Sequence, residues 1–401
     1  GDYFGGHTHT VDVTLAGVTH GVDTGFLVLN ERTYPKLLAL FSQLDVPVAK
    51  SDMSFSVNVP HAFGRSRSLE WSGTDLASVF CQKANLVRPG FWRMLRDLKR
   101  FNALATQLAQ LAHDAPSSQS LGDFLKAQRF STEFRDWYLL PMLGCIWSCP
   151  TEQMLAFPLI TMVRFCHNHG LLQVTGRPQW YTVPDGARQY VRKIVAGVAD
   201  ARLNTPVLGV RRTDAGVVIT TPGGQEQFDS VVMATHPGQA LALLADPSRA
   251  ESQVLAGIRY QRNRAVLHTD ASVLPRREAA WAAWNFEGAE PGGANRVCLH
   301  YLINRLQPLP WKQPVLVSLN PQRPIAAKHI IGEYDYEHPV FDAGALHAQS
   351  RLGELQGKRQ TWFCGAWAGY GFHEDGLASG TEAARMLLTT GRIDHVAQAV
   401  A

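Results

Sequence analysis

Near its C-terminal end the chain runs Phe363-Cys364-Gly365-Ala366-Trp367-Ala368-Gly369-Tyr370-Gly371-Phe372-His373-Glu374-Asp375-Gly376-Leu377-Ala378-Ser379-Gly380, and no other stretch restricts the fold as much. Residues 361–365 read as a short apolar strand and residues 376–388 as a helix. A strand that ends in glycines and passes at once into a helix brings backbone N–H groups and a positive helix end to one point. An anionic or electron-rich ligand edge is stabilised there. Glycines admit that ligand close to the backbone, and the interleaved Trp367, Tyr370 and Phe372 supply walls for a flat ring system.

Composition narrows the class. Thirty-eight Lys and Arg stand against 34 Asp and Glu, a formal charge of +4. No run of them forms the basic stripe that tracks a phosphate backbone, so no nucleic-acid partner is expected. Only 18% of residues are charged, while 10 Trp, 18 Phe and 10 Tyr supply bulky apolar surface, which suits an enzyme with a deep apolar interior. Six cysteines without a C-x-x-C pair read as reduced, mostly buried thiols. No stretch approaches the ~18 apolar residues of a membrane span, and residues 1–30 lack the pattern of a secretory leader. The expected compartment is therefore the cytoplasm, and 401 residues leave room for two or three domains.

Along the chain, residues 11–13 and 18–22 read as a hairpin about Ala16-Gly17. Asn30 stands where it would cap a helix carrying Leu37, Leu38, Leu40, Phe41 and Leu44. Alternation returns over 53–59 and 69–73, and from about 76 to 169 the period becomes helical. Phe91, Leu95, Leu98, Asn102, Ala105, Leu108 and Ala112 then share one face, opposite Arg93, Arg96 and Arg100. This helix is expected to pack on its own domain, the alternative being contact with a membrane surface through Trp92 and the basic side. Ser120 and Ser131 are candidate caps, and Pro141 should kink or end the second of those helices. A helix follows Pro184-Asp185-Gly186, then a three-stranded meander whose last strand is 230–235, then a helix opened by His236-Pro237-Gly238. Further strands are expected at 265–268, 297–301 and 315–318.

Gly5-Gly6-His7, Val22-Asp23-Thr24-Gly25, Pro184-Asp185-Gly186, Ala234-Thr235-His236-Pro237 and the terminal glycine and aromatic block occur in one order over nearly the entire chain. In that order the sequence resembles the flavin-containing amine oxidase and phytoene desaturase superfamily, most closely the bacterial NAD/FAD-binding proteins of the amine oxidase type. The resemblance implies an α/β protein with a Rossmann-like, glutathione-reductase-like FAD domain and a discontinuous α+β substrate domain of helices and a mixed sheet. The FAD domain would comprise residues 1–75, 176–250 and 356–401, and the substrate domain 76–175 and 251–355. It also implies a strand and a G-x-G-x-x-G turn ahead of Gly1, so the FAD domain is expected to be N-terminally truncated.

Carried over residue by residue, the resemblance places Gly5, Gly6 and His7 along the pyrophosphate and Val207 at the adenine. Thr24 and Gly25 join the cofactor-binding set, with Gly365, Glu374, Asp375, Gly376 and Leu377 near the ribityl chain and pyrimidine edge. His7 stands where many relatives have Arg. Trp367, Tyr370, Phe372, His373 and His338 are the residues expected nearest the reacting ring; for His338, beside Pro339, a capped turn is an equal alternative. A metal site at His7-x-His9 lacks further ligands and none is expected. Lys328 is a candidate for holding a water at the flavin.

The expected activity is an FAD-dependent oxidoreductase, with non-covalent FAD, that removes hydride equivalents from a hydrophobic, lipid or isoprenoid substrate. The alternatives are a redox-neutral flavin isomerase and a non-enzymatic remnant. The electron acceptor stays open among oxygen, quinone and other carriers, and the cytoplasmic placement extends to peripheral contact with the inner membrane.

Overall fold

The computed structural model describes residues 1–64, 67–111, 119–173, 176–289 and 297–389. Its largest sheet has seven strands, in the order Ile330–Pro339, Tyr260–His268, Leu316–Leu319, Cys298–Leu302, Trp284–Glu287, Phe55–Val59 and Leu69–Ser72. All neighbours run antiparallel except Trp284–Glu287 and Phe55–Val59. The strand at 55–59, expected among the cofactor segments, pairs with 284–287 and carries 69–72 on its outer side as the sheet edge. Side chains at alternate positions divide between two faces. One face, with Val57, Ala265, Leu267, Phe286, Leu299 and Val317, shares a core with Phe91, Phe101, Phe124 and Phe134 of the helical block. Leu302 and Leu316 on the other face pack with Val273 and Leu274.

The helical block differs from expectation in two ways. Helix Pro89–Leu111 buries Phe91, Met94, Asp97, Phe101 and Ala105 rather than Leu95 and Asn102, and Ala112 lies outside the described residues. The exception to polarity is Asp97, whose Oδ2 accepts the Ser131 N–H at 2.9 Å and so ties this helix to the next. Ser120 and Ser131 do cap their helices. Pro141, however, does not end the second one. A π turn over Arg135–Leu139 precedes it, and Leu140–Trp147 continues. Proline cannot donate to the carbonyl four residues back; that carbonyl, of Trp137, instead accepts Trp71 Nε1–H at 3.2 Å.

Two other local readings change. Asn30 ends a short strand and its Oδ1 accepts Arg32 and Thr33 N–H at 3.0 Å each, whereas helix Pro35–Gln43 starts five residues on with proline in its first turn. The meander consists of Gly209–Thr213, Gly216–Thr221 and Gly224–Phe228. The strand Val231–Met233 leaves it and pairs in parallel with Thr361–Phe363. Both strands of that parallel pair feed helices, Pro237–Leu243 and His373–Thr389. Their carboxyl ends therefore point to one place, where ligands sit in α/β sheets.

Candidate functional site

A cavity of about 370 Å³ opens at that place. Four parts of the chain wall it. The glycine and aromatic block gives Gly365, Ala366, Trp367, Tyr370, Gly371, Phe372 and His373; the strand end gives Glu337, His338 and Pro339; the helical block gives Trp147, Phe165 and His169; the N-terminal segment gives His7, Gly25 and Phe26. Two of these glycines are sterically required. A Cβ on Gly25 would meet the His7 carbonyl oxygen at 2.1 Å, and one on Gly365 would meet Trp367 Nε1 at 2.4 Å. Gly25 thereby lets residues 24–26 lie flat on 7–9, with Phe26 N–H donating to the His7 carbonyl at 2.8 Å. Gly365 lets Trp367 fold back so that its indole N–H reaches the Thr235 carbonyl at 3.1 Å, joining the two parallel-strand exits.

Among the described lining residues none is Lys or Arg, and Glu337 carries the one carboxylate. That carboxylate is already paired, with His236 Nδ1 at 3.1 Å and Arg262 Nε at 3.1 Å. The histidines are neutral. Burial pushes His338 down to about 3, with His7 and His236 adding to the effect, and burial pushes His373 to about 3 and His169 to about 4. His7 and His236 are lowered as well, again chiefly by burial.

The tautomer of His338 follows from its neighbours. Arg264 N–H donates to Asn320 Oδ1 at 3.0 Å, Asn320 Nδ2 donates to Asn263 Oδ1 at 2.7 Å, and Asn263 Nδ2 donates to His338 Nδ1 at 2.8 Å. This chain runs one way only, so the neutral His338 keeps its proton on Nε2. His373 stacks on Phe26 with centroids 3.8 Å apart, and its Nε2 is 2.9 Å from Thr8 Oγ1, which lies 2.6 Å from Tyr190 OH. Phe165 and Phe372 stack at 5.1 Å beside His169.

The structure brings together all five residues expected nearest the ring: Trp367, Tyr370, Phe372, His373 and His338. Of those expected to bind the cofactor, His7, Gly25 and Gly365 line the same cavity. The others lie elsewhere. Gly5 and Gly6 make a tight turn ahead of His7, Thr24 is buried with its hydroxyl 2.6 Å from Tyr336 OH, and Val207 is exposed just ahead of the meander. Glu374 takes the N–H groups of Lys36 and Leu37 at 2.9 and 3.0 Å, capping helix Pro35–Gln43. Asp375 accepts Phe372 N–H at 2.9 Å and Gly376 N–H bonds the Phe372 carbonyl, so these residues close their own helix end, with Leu377 packed against the core. Lys328 does not line the cavity; it precedes a strand whose far end, at about 3.3 Å per residue, is roughly 30 Å away.

His236, Glu337, Asn263 and His169 are not among the site residues expected from sequence, although His236 falls in one of the quoted motifs. His236 had a usable signal: it ends a parallel strand and opens a helix on Pro237. Asn263 had none, because its partner His338 is 75 residues away.

The wall fits a flat heteroaromatic ring. Gly365 and Ala366 present backbone with no side chain beyond a methyl, and the N–H groups that open the 3₁₀ turn Ala366–Ala368 have no acceptor within that turn. Rings close the other sides.

Comparison with known proteins agrees with this geometry. Residues 1–302 match the model of the flavin containing amine oxidoreductases. A Mycobacterium tuberculosis protein provisionally named flavin-containing monoamine oxidase AofH is 26% identical over 217 residues, which cover 54% of this chain and 46% of that one. The chain thus spans about half the length of the curated relatives it matches. Cyclohexylamine oxidase from Brevibacterium oxydans superposes with a TM-score of 0.66 at 13% identity, covering 97% of this chain and 92% of that one. A conjugated-linoleic-acid-producing fatty acid isomerase from P. acnes superposes at 0.64 with 15% identity, covering 96% and 90%. The likenesses in structure establish a shared fold, and the family implies FAD as cofactor. With its glycine-lined slot at the carboxyl ends of two parallel strands, and three quarters of its length matched, the chain belongs to the flavin-containing amine oxidoreductase family.

Proposed function

We propose that the protein is an FAD-dependent oxidoreductase that removes two hydrogens, as hydride and proton, from a hydrophobic substrate with a lipid-like chain. One observation carries the reading: the cavity is walled by aromatic rings and neutral histidines, and its single carboxylate is taken by His236 and Arg262. An ammonium group finds no free anion there, whereas an apolar chain finds surface to bury at about 25 cal/mol per Å². FAD, when bound, supplies the acceptor for the hydride. Gly365, Ala366 and Gly25 would hold its ring, and the reading takes it as non-covalent: Cys364 does not line the cavity, and burial keeps the Cys145 thiol, which does, protonated. The chain's own residues do the rest. Phe165, Phe372 and Tyr370 orient the substrate and exclude water, His338 donates a hydrogen bond from Nε2–H to a substrate oxygen, and the neutral His7, whose Nε2 is buried without a partner among the described residues, takes the proton that leaves.

The test is anaerobic mixing of the FAD-loaded protein with fatty-acyl lipids and, separately, with primary amines, following flavin absorbance. Bleaching by the lipids with a product lighter by two hydrogens is expected. Bleaching by amines alone, or a product of unchanged mass, overturns the reading, the second result in favour of isomerisation.

A further inference from the structure

Between the strand Leu69–Ser72 and helix Pro89–Leu111 the chain makes two short helical turns, Leu76–Val79 and Lys83–Val87, and leaves apolar side chains bare on them. Leu76 is 78% exposed, Val87 81%, Leu86 50% and Trp92 50%. They belong to one corner of the molecule. Trp92 Nε1 donates to the Leu86 carbonyl at 2.9 Å, its ring lies 5.6 Å from that of Phe80, and Phe80 N–H bonds the Leu76 carbonyl at 3.2 Å. The indole N–H is therefore satisfied within the protein, and what Trp92 offers outward is its hydrocarbon edge. Single exposed apolar residues need no explanation, but a cluster of four does.

The charge around the cluster says what covers it. Residues 74–100 hold six Lys and Arg against two Asp, an excess of four that matches the formal charge of the whole chain. Of the two acids, Asp75 caps the first turn and Asp97 is buried against Ser131. Two arginines are offset, Arg96 by Asp97 at 3.3 Å and Arg93 by Glu133 from outside the segment, which leaves Lys83, Arg88, Lys99 and Arg100 as the net positive rim. A bare apolar cluster with a tryptophan, rimmed by cations on long stems, suits the boundary of an anionic bilayer: the rings and aliphatic groups enter the headgroup layer while the cations meet lipid phosphates. Among the described residues no helix is long and apolar enough to cross a membrane, so contact is with the surface.

We propose that the face formed by Leu76, Leu86, Val87 and Trp92 docks the protein on an anionic lipid bilayer. The contact stands independently of the substrate assigned to the cavity.

Vesicle flotation of the full chain tests it, with phosphatidylcholine vesicles and with vesicles containing phosphatidylglycerol. Binding to the anionic vesicles is expected, at least about tenfold stronger than to neutral ones and reversed by ~0.5 M salt. Leu76→Ser with Val87→Ser and Trp92→Ser should abolish it, and Lys83→Glu with Lys99→Glu should remove its dependence on anionic lipid; all five changed residues are exposed, and circular dichroism confirms folding. No flotation with either vesicle, or flotation that the substitutions leave intact, overturns the proposal. So does a triple variant that changes only the size of the protein in solution, which would assign the face to a second copy of the chain.

Discussion

The two faces of the seven-stranded sheet each bury histidines, and they do so to opposite ends. On the face away from the cavity the polar groups form a closed run. Asp270 N–H donates to His268 Nδ1 at 3.0 Å, His268 Nε2 meets Ser318 Oγ at 2.7 Å, Ser318 Oγ meets His300 Nδ1 at 2.6 Å, and His300 Nε2 meets Glu287 at 3.1 Å. Arg323 holds the other Glu287 oxygen at 2.9 Å. Glu287, Cys298 and His300 converge closely enough to suggest a metal site. Yet both nitrogens of His300 are bonded and the carboxylate is neutralised by a guanidinium, so the run is complete as it stands. On the cavity side, His338 has a partner fixing Nδ1, while His7 Nε2 is buried without a partner. Burial alone therefore does not mark the site. What marks it is polar rings left partly unpaired beside a void.

The comparison has its largest consequence in acid. His338, His373 and His169 at the cavity and His268 on the other face, pushed down to about 4 by burial, are neutral when folded and protonate near 6.5 when unfolded. Their stabilisation is present above about pH 6.5 and is lost as pH falls towards 4. Asp23 acts in the opposite sense: burial raises its carboxyl to about 7, so the fold retains a proton that the unfolded chain releases, and that contribution fades as pH rises from about 4 to 7. Four protons taken up and one released leave about three at pH 5, a stability slope of roughly 4 kcal/mol per pH unit. Urea unfolding at pH 5 and 6 measures it. A flat profile would mean that the histidines are already charged in the fold, and the distinction between neutral cavity and closed run would fail.

His300→Ala comes next. It takes one partner each from the buried Glu287, which keeps Arg323, and Ser318, which keeps His268, and a loss of about 2 kcal/mol is expected in chemical unfolding. Flavin reduction per folded molecule should not change. If zinc or cobalt titration stabilises the parent protein but not the variant, the closed-run reading gives way to a metal site.

How much of this was legible beforehand divides along the same line. Trp367, Tyr370, Phe372 and His373 sit in one continuous segment, so local pattern sufficed to group them. The parallel pairing of 55–59 with a strand more than 200 residues later left no local mark. Neither did the capture of the Trp137 carbonyl by Trp71, which lets a helix run through Pro141. Glu374 and Asp375 entered the cofactor set through the resemblance alone; what local pattern did not reveal is that Glu374 caps helix Pro35–Gln43 and Asp375 accepts the Phe372 N–H at its own helix start.

At the cavity, His338→Ala should slow flavin reduction by about a hundredfold in anaerobic stopped flow, the scale of losing one positioned hydrogen-bond donor to the reacting group. Stability should fall by no more than about 1–2 kcal/mol, because the side chain removed faces the cavity and the buried Asn263 amide keeps the Gln261 carbonyl at 3.4 Å. The reverse pattern, a large loss of stability with intact reduction, would place His338 with the structural histidines of the other face.

Asn263→Asp probes the same ring with the smallest change. The carboxylate still accepts from Asn320 Nδ2, but toward His338 it offers an acceptor where the amide offered a donor. The imidazole must then carry its proton on Nδ1, and Nε2 turns from donor to acceptor. Nitrogen chemical shifts of selectively labelled histidine report this directly: Nε2–H in the parent and Nδ1–H in the variant. Reduction is expected to slow about tenfold, with its pH dependence displaced because a carboxylate beside the ring also favours imidazolium. A variant that reverses the tautomer while reducing flavin at the parental rate would show that the proton on Nε2 has no part in the chemistry, and the two faces of the sheet would then differ in packing alone.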